Sequence, residues 1–545
     1  MSWNPDAPAA RGGGEGDERS ERAAGFADLL GAASFPDGRP DVLLLLDPLV
    51  LFVLAVLDTL QATAYPFFAA LSRTAHMDGE QVSAALAVGA VATLLLFSTA
   101  LVLAPRHYLA VKRVALAILV LLLVVAPIAN RAYLRFATGR QLDYAHDGGV
   151  VQTEEAARFL LRGINPYSAD FSRTPLRGVE IPAILHYNPY LPASFVLPAP
   201  FIGVADALHL PYDQRVVYLG LYGAGIWLIP RAFRRRGAGE LARTVFAFNP
   251  LVVAFLELGR NDIYVIAFLL FAIVAVARRR PVAFFVSLAL ACATKQLAWF
   301  AAPFLLVCAW RTWLPAAGAP LPVSLPAMAG RWRRGAALGA GLFAALVLPF
   351  YFWDPAAFVN SVYKFNAGLV PDSYPLGGTP GFGFAMLAAV FHWAPSRTAY
   401  FELTPYLLVT ALPLGALLLW RLARRPSMSQ ALLGAFVVSF WAYFFSRVFH
   451  NNYLGVLAFL LQMGLLAAAD EAVDATDAVD ALAAPGWAGA ASGDPQVPRQ
   501  RHAAHAAGTA HGAGTAHAAD TAHAADTEKA GKGGEAGRQQ PGELQ

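Results

Sequence analysis

Apolar residues along this chain run in long unbroken blocks rather than in the one-sided stripes of a soluble helix. A helix needs about 20 predominantly apolar residues, with a range of about 17–25, to cross a bilayer. The blocks 48–69, 82–104, 114–130, 214–231, 335–353, 403–421, 428–446 and 453–469 meet that length. The stretches 243–277 and 281–311 are too long for one crossing. Each is interrupted near its middle, by Gly259-Arg260-Asn261-Asp262 and by Thr294-Lys295-Gln296. Split there into tight hairpins, they bring the expected fold to an all-α, polytopic membrane protein of about twelve spans. A further apolar piece, 189–207, is broken by Pro192, Pro198 and Pro200 and reads as an interfacial or re-entrant helix.

Composition agrees with the pattern. Of 545 residues, 57% are hydrophobic and 14% charged, and the mean hydropathy is +0.48. Soluble domains run at about 45–50% apolar and about 25% charged, so an ordinary cytosolic enzyme is excluded. A chain disordered throughout is excluded too, since disorder needs low hydrophobicity and high charge. The formal net charge of +4 gives no sign of a nucleic-acid partner. Cys292 and Cys308 both lie inside apolar blocks and make no disulfide framework. Residues 1–40 show no basic start followed by an apolar stretch, so they read as a disordered cytoplasmic leader rather than a signal peptide. From 470 to 545 the chain is rich in Ala, Gly, His and Thr, with TAHAAD at 515–520 repeated at 521–526. It reads as a solvated, disordered cytoplasmic tail, its histidines too loosely held to organise a metal.

Arginine placement fixes the expected orientation. Arg106, Lys112 and Arg113 follow the second span; Arg231 and Arg234–Arg236 follow the fourth; Arg278–Arg280 follow the sixth. Arg331, Arg333 and Arg334 precede the ninth, and Arg421, Arg424 and Arg425 follow the tenth. With both termini inside, every cluster is cytoplasmic, provided that 189–207 stays on the outer face. The long loops 131–213 and 354–402 then lie outside, where the chemistry is expected.

In the first of them, Glu154, Arg158 and Arg162 follow at helical spacing after Gly148-Gly149, with Val150, Ala157, Leu160 and Leu161 on another face. That amphipathic segment can rest on a membrane surface. Asp147, just ahead of it, is suited either to cap the helix or to accept a proton from a sugar hydroxyl. Lys295, at the turn of its hairpin, is a charge in an apolar setting that either snorkels to head groups or has a partner or a task. Arg447 and His450 sit in FFSRVFHNNY at a helix end, where they could also complement the helix dipole. Lys364 lies in SVYKFN of the second loop, and Asp262 is placed to pair with Arg260. Asp47 and Asp58, inside the first span, point to helix packing or to a span that starts later.

The run Asp147, Glu154-Glu155-Ala156, Gly163-Ile164-Asn165-Pro166-Tyr167 resembles the first outer loop of the GT-C glycosyltransferases. It is most similar to the polyprenol-phosphate-mannose-dependent α-1,2-mannosyltransferases. His186-Tyr187-Asn188-Pro189-Tyr190, the Gly259–Asp262 turn and Lys295 in ATKQLAWFAAP follow in the same order, so the resemblance spans roughly 114–469. Two features depart from it: the two additional spans within 41–113, and Pro375-Leu376-Gly377-Gly378-Thr379-Pro380 in place of a polar motif.

The resemblance implies an inverting transfer of a sugar, mannose by preference, from a polyprenyl-phosphate donor to a lipid or glycan acceptor. The reaction would take place on the outer face of the plasma (inner) membrane, among membrane lipids and without a cofactor or obligatory metal. Asp147 would be the base. Lys295, Arg447, His450 and Lys364 would hold the donor phosphate, and Glu154, Glu155, Asn165, Tyr167, Tyr187 and Asp262 would line the substrate. The competing readings are a secondary transporter or lipid flippase, disfavoured because no repeat relates the two halves, and a surface-polysaccharide polymerase or ligase, for which only Arg397 and Arg447 stand as late-loop arginines.

Overall fold

The computed structural model describes residues 41–64, 79–144, 149–179, 181–313, 325–377 and 381–483. The proposed leader 1–40, Asp147, Gly378-Thr379-Pro380 and the histidines of the tail lie outside the described residues. The described helices, the last of them as far as Ala478, fall within one compact unit. Its described secondary structure is helical throughout, apart from a backbone bridge between Gly381 and His450.

The helices follow the apolar blocks. The first three are α1 (Val42–Ala64), α2 (Gly79–Leu103) and α3, continuous over Tyr108–Ala137 with a π-turn at Leu121–Val125. The amphipathic α4 (Gly149–Leu161) and the short α5 (Ala199–Ala207) precede α6 (Arg215–Leu228). Next come α7 (Arg236–Ala247), α8 (Pro250–Glu257), α9 (Asp262–Ala277), α10 (Pro281–Thr294) and α11 (Ala302–Trp313). The last four are α12 (Leu325–Trp353), α13 (Thr404–Arg424), α14 (Met428–Phe444) and α15 (Tyr453–Ala483). Among the described residues, seven helical stretches are long and apolar enough to cross a membrane: α1, α2, α3, the α7–α8 pair, α12, α13 and α15. The chain is therefore an all-α polytopic membrane protein. The shorter apolar helices α9, α10 and α14 account for further expected spans.

Several boundaries differ from expectation. Helix α1 begins at Val42, earlier than 48, which places Asp47 inside it. Arg236, expected in a loop, starts α7, whose residues RGAGELARTVFA look polar yet are largely buried. Helix α12 begins at Leu325, so Arg331, Arg333 and Arg334 lie within it. The last helix runs on to Ala483, past residue 470.

Helix α9 is apolar on every face because protein surrounds it: 14 of its 16 residues are buried. Helix α10 packs closely on α12, and the contact depends on a small residue. A Cβ on Gly339 would meet the Phe285 carbonyl oxygen at 2.7 Å, so glycine lets the two backbones approach.

Two buried polar networks mark the two ends of α3. At one end Lys112 pairs with Asp47 at 2.5 Å and Glu240 at 3.2 Å, while Thr244 donates to Asp47 at 2.6 Å. At the other, Arg135 joins Glu154 and, at 3.1 Å, Asp213. The 23 residue steps from Lys112 to Arg135 correspond to about 35 Å of helix. At the Arg135 end, the residues following α4 pack with Phe350, Phe358, Phe365, Tyr374 and Val448 in one apolar cluster. The two long loops are thereby brought together over the same end of the bundle.

Candidate active site

The turn between α8 and α9 begins at Gly259, which adopts φ +79°. A side chain there would be strained and would press on Val150 Cβ at 3.1 Å and Arg215 Nε at 3.2 Å. The turn leaves Asn261 and Asp262 at the start of α9. Opposite them α10 stops at Thr294, and Lys295 is extended, with φ −157° and ψ 143°, before a tight turn at Gln296–Phe300. This break directs the lysine inward. Its Nζ donates to Asp262 Oδ1 at 2.8 Å and Asn261 Oδ1 at 3.2 Å. Asn452 Nδ2 donates to the other Asp262 oxygen. The ammonium also lies 5.3 Å and 5.9 Å from the ring centroids of Tyr453 and Tyr190, within cation–π range.

Between α14 and α15, Arg447 is buried and gathers the second long loop. Its guanidinium donates to the carbonyls of Tyr374 at 2.6 Å, Ala399 at 2.9 Å and Arg397 at 3.1 Å. Among the described residues no carboxylate lies within ion-pair range of it. Burial lowers its pKa to about 10, so it remains charged at neutral pH. His450 is buried nearby, with its ring edge-on to Tyr374 at 5.2 Å.

These groups line a cavity of about 440 Å³. Arg260, Lys295, Arg447, His450 and Asn452 supply its polar lining, with Asp262 behind Lys295. Leu297, Phe300, Leu403, Leu407 and Phe445 supply apolar lining. The latter adjoins α13, whose Leu408, Val409 and Leu412 are exposed. Three cations stand against the Asp262 carboxylate, so the cavity favours an anionic group beside an apolar one.

Lys295, Arg447 and His450 are thus brought together, with Asp262 in direct contact with the lysine. The other residues singled out from sequence lie elsewhere. Lys364 is exposed and outside the cavity lining. Glu154 is fully buried, accepting from the Arg135 guanidinium and from Gln214 N at 2.8 Å. It ties α4 to α3. Glu155 pairs with Arg158 at 2.7 Å in a separate surface cluster that includes Asp206. Asn165 Oδ1 accepts from Tyr167 N at 3.0 Å, closing a turn. The buried Tyr167 donates its hydroxyl to the Tyr190 carbonyl at 2.8 Å, which anchors a residue of the cavity wall. Tyr187 stacks on Phe365 at 5.1 Å. Of Asp147 only the flanks are described. The Tyr144 carbonyl accepts from Arg215, and Val150 abuts Gly259, next to the cavity residue Arg260.

Sequence reasoning missed the cavity roles of Arg260, assigned there only to Asp262, and of Asn452 and the tyrosines 190, 363, 374, 400, 443 and 453. The polar doublet Asn451-Asn452, immediately before an apolar helix, was the available signal for one of them.

The similarity to known proteins covers part of this site. No curated protein matches the sequence. Residues 156–311, well under half of the chain, match the family described as alpha-(1->6)-mannopyranosyltransferase, N-terminal domain. The linkage in that description differs from that of the α-1,2 subgroup which the motifs resemble. The matched stretch contains the Gly259–Asp262 turn and Lys295, and together with the apolar helices it supports a membrane mannosyltransferase.

Proposed function

We propose that the protein transfers mannose from a polyprenyl-phosphate donor to a glycan acceptor, with inversion, at the outer face of the plasma membrane. The observation that carries the donor assignment is the amphiphilic cavity. Arg260, Lys295 and Arg447 suit a phosphate, and the Leu297–Phe300 and Leu403–Leu407 surfaces beside α13 suit the start of a polyprenyl chain. A phosphate leaving group gains most from cations where water is scarce. Of the two linkages the chain resembles, α-(1→6) is favoured, because a matched stretch of sequence carries it.

In the proposed reaction the acceptor hydroxyl oxygen attacks the anomeric carbon. The bond from that carbon to the phosphate oxygen breaks, and its electron pair leaves on the polyprenyl phosphate. The hydroxyl proton passes to Asp147, whose loop starts and ends against Arg215 and Gly259. Lys295 and Arg447 offset the charge left on the phosphate. The outward assignment of this end rests on the arginine pattern. The arginines of the first long loop do not oppose it, since loops longer than about 60 residues contribute little to the rule.

The test is incubation of the purified protein, in lipid nanodiscs, with polyprenyl-phosphate mannose and an α-mannoside. Release of polyprenyl phosphate together with an extended mannoside is expected. Absence of release from every polyprenyl-phosphate sugar, with lipid moved across the bilayer instead, would replace the transferase with a flippase.

A further inference from the structure

Six of the chain's 18 tyrosines line this one cavity: Tyr190, Tyr363, Tyr374, Tyr400, Tyr443 and Tyr453. They differ in exposure, and the difference separates two zones. Tyr374 and Tyr443 are buried, and Tyr190 and Tyr453 flank the Lys295 ammonium. Tyr363 and Tyr400 are 62% and 47% exposed and stand at the rim. Large rings left open at the mouth of a polar cavity call for a ligand face to cover them.

The Tyr400 ring is also fixed in place. Its hydroxyl donates to Glu402 Oε2, and Glu402 Oε1 accepts from Thr404 N at 3.0 Å, at the start of α13. From the other side, Arg447 holds the Ala399 carbonyl at 2.9 Å, one residue before Tyr400. A ring held at its hydroxyl and at its backbone presents its faces with little ordering left to complete on binding, which is how affinity is gained without new contacts. Tyr363 lines the same cavity, so the two exposed rings share one rim.

We propose that Tyr363 and Tyr400 form a hexose-binding subsite for the acceptor glycan, with Glu402 as the residue that positions Tyr400. The proposal rests on the transferase reading above. A pyranose ring carries an apolar C–H face that stacks on an aromatic face, while its hydroxyls remain in water. That combination fits rings left uncovered at the cavity mouth. The donor sugar belongs deeper, beside the cations that hold its phosphate. A rim site leaves the remainder of an acceptor chain free to extend into solvent.

Binding and transfer are measured separately. Titration of the solubilised, donor-free protein with an α-linked mannotriose, followed by saturation-transfer NMR, reads the subsite alone. Tyr400→Ala and Tyr363→Ala should each weaken binding by on the order of tenfold, one aromatic contact being worth about 1 kcal/mol or more. Tyr400→Phe keeps the stacking face but gives up the hydroxyl that Glu402 holds, so it should lose part of the binding and less than Tyr400→Ala. Glu402→Gln should fall between, raising the acceptor KM while kcat stays near wild type. In the transfer assay all four should leave the donor KM unchanged. Equal mannotriose binding by wild type and both alanine variants would overturn the subsite. So would a raised donor KM with an unchanged acceptor KM, which would make the rim a contact for the lipid chain. Tyr400-dependent mannotriose binding without turnover of any polyprenyl-phosphate sugar would retain the subsite and remove the donor assignment.

Discussion

Replacing Lys295 by Met removes two interactions at once, and the structure allows them to be separated. The ammonium is 2.8 Å from Asp262 and its side chain is 12% exposed. Taking away one member of a buried pair costs about 3–5 kcal/mol, because the other charge is stranded. Asn452 softens the loss, as it already donates to Asp262, so the lower end applies to the unfolding midpoint. The second loss is a charge-assisted contact to the donor phosphate, worth about 1.5–3 kcal/mol. At 1.36 kcal/mol per tenfold, that is a rise in donor KM of about 10- to 150-fold. The double variant Lys295→Met, Asp262→Asn restores neutrality behind the cavity wall without restoring a cation. It should recover most of the lost stability, read by thermal unfolding in detergent. Its donor KM, read by phosphate release in nanodiscs, should remain as poor as that of the single variant. A double variant with wild-type donor KM would refute the reasoning and leave Lys295 as a structural partner of Asp262 alone.

Asp147→Asn should lower turnover by about 10²- to 10⁴-fold if the residue is the base, with donor binding intact. Asparagine caps helices about as well as aspartate, so an unchanged rate would assign it to capping. Asp143→Asn is the control, being exposed and 3.7 Å from Arg140. Arg447→Lys loses the fork that reaches three carbonyls. It should cost about 3 kcal/mol, two charge-assisted bonds at about 1.5 each, with faster hydrogen exchange over 397–403 as the local readout. Cysteines placed at 162–173 and 366–373 should react with an impermeant reagent added outside, whereas those at 234–236 should not. The reverse pattern would invert the orientation drawn from the arginines.

Helix positions were legible because a bilayer demands length and apolarity, both of which can be counted along a chain. The breaks at 259–262 and 294–296 were legible for the same reason: Arg260 and Lys295 interrupt otherwise unbroken apolar blocks. Partnerships between distant residues were not. Glu154 and Arg158 share helical spacing, yet Glu154 turns to Arg135 on another helix and Arg158 to Glu155 and Asp206. The first half of helix α7 looked like a cytoplasmic loop because the helix's polar residues find their partners on α1 and α3. Of the cavity, Lys295, Arg447 and His450 stood out as charged or titratable residues near apolar helix ends. The tyrosines did not, because a tyrosine in a membrane protein is as readily an interface anchor or a core residue, and only burial separates the cases.

The Lys112 network has a consequence for how the chain is made. Asp47 lies five residues inside α1 and enters the membrane before its partners; an uncompensated aspartate within a span is costly, up to about 2.5–3.5 kcal/mol at the centre and less toward an end. Its counter-charge, Lys112, is translated 65 residues later, roughly 3–13 s at ordinary elongation rates of about 5–20 residues per second. Thr244, which donates to the same carboxylate, arrives later still. Until then α1 has reason to stay near the insertion machinery rather than partition into lipid. Helix α1 would settle only after α3 and α7 had been made, and a ribosome stalled between 47 and 112 would leave a nascent chain poorly committed to the bilayer.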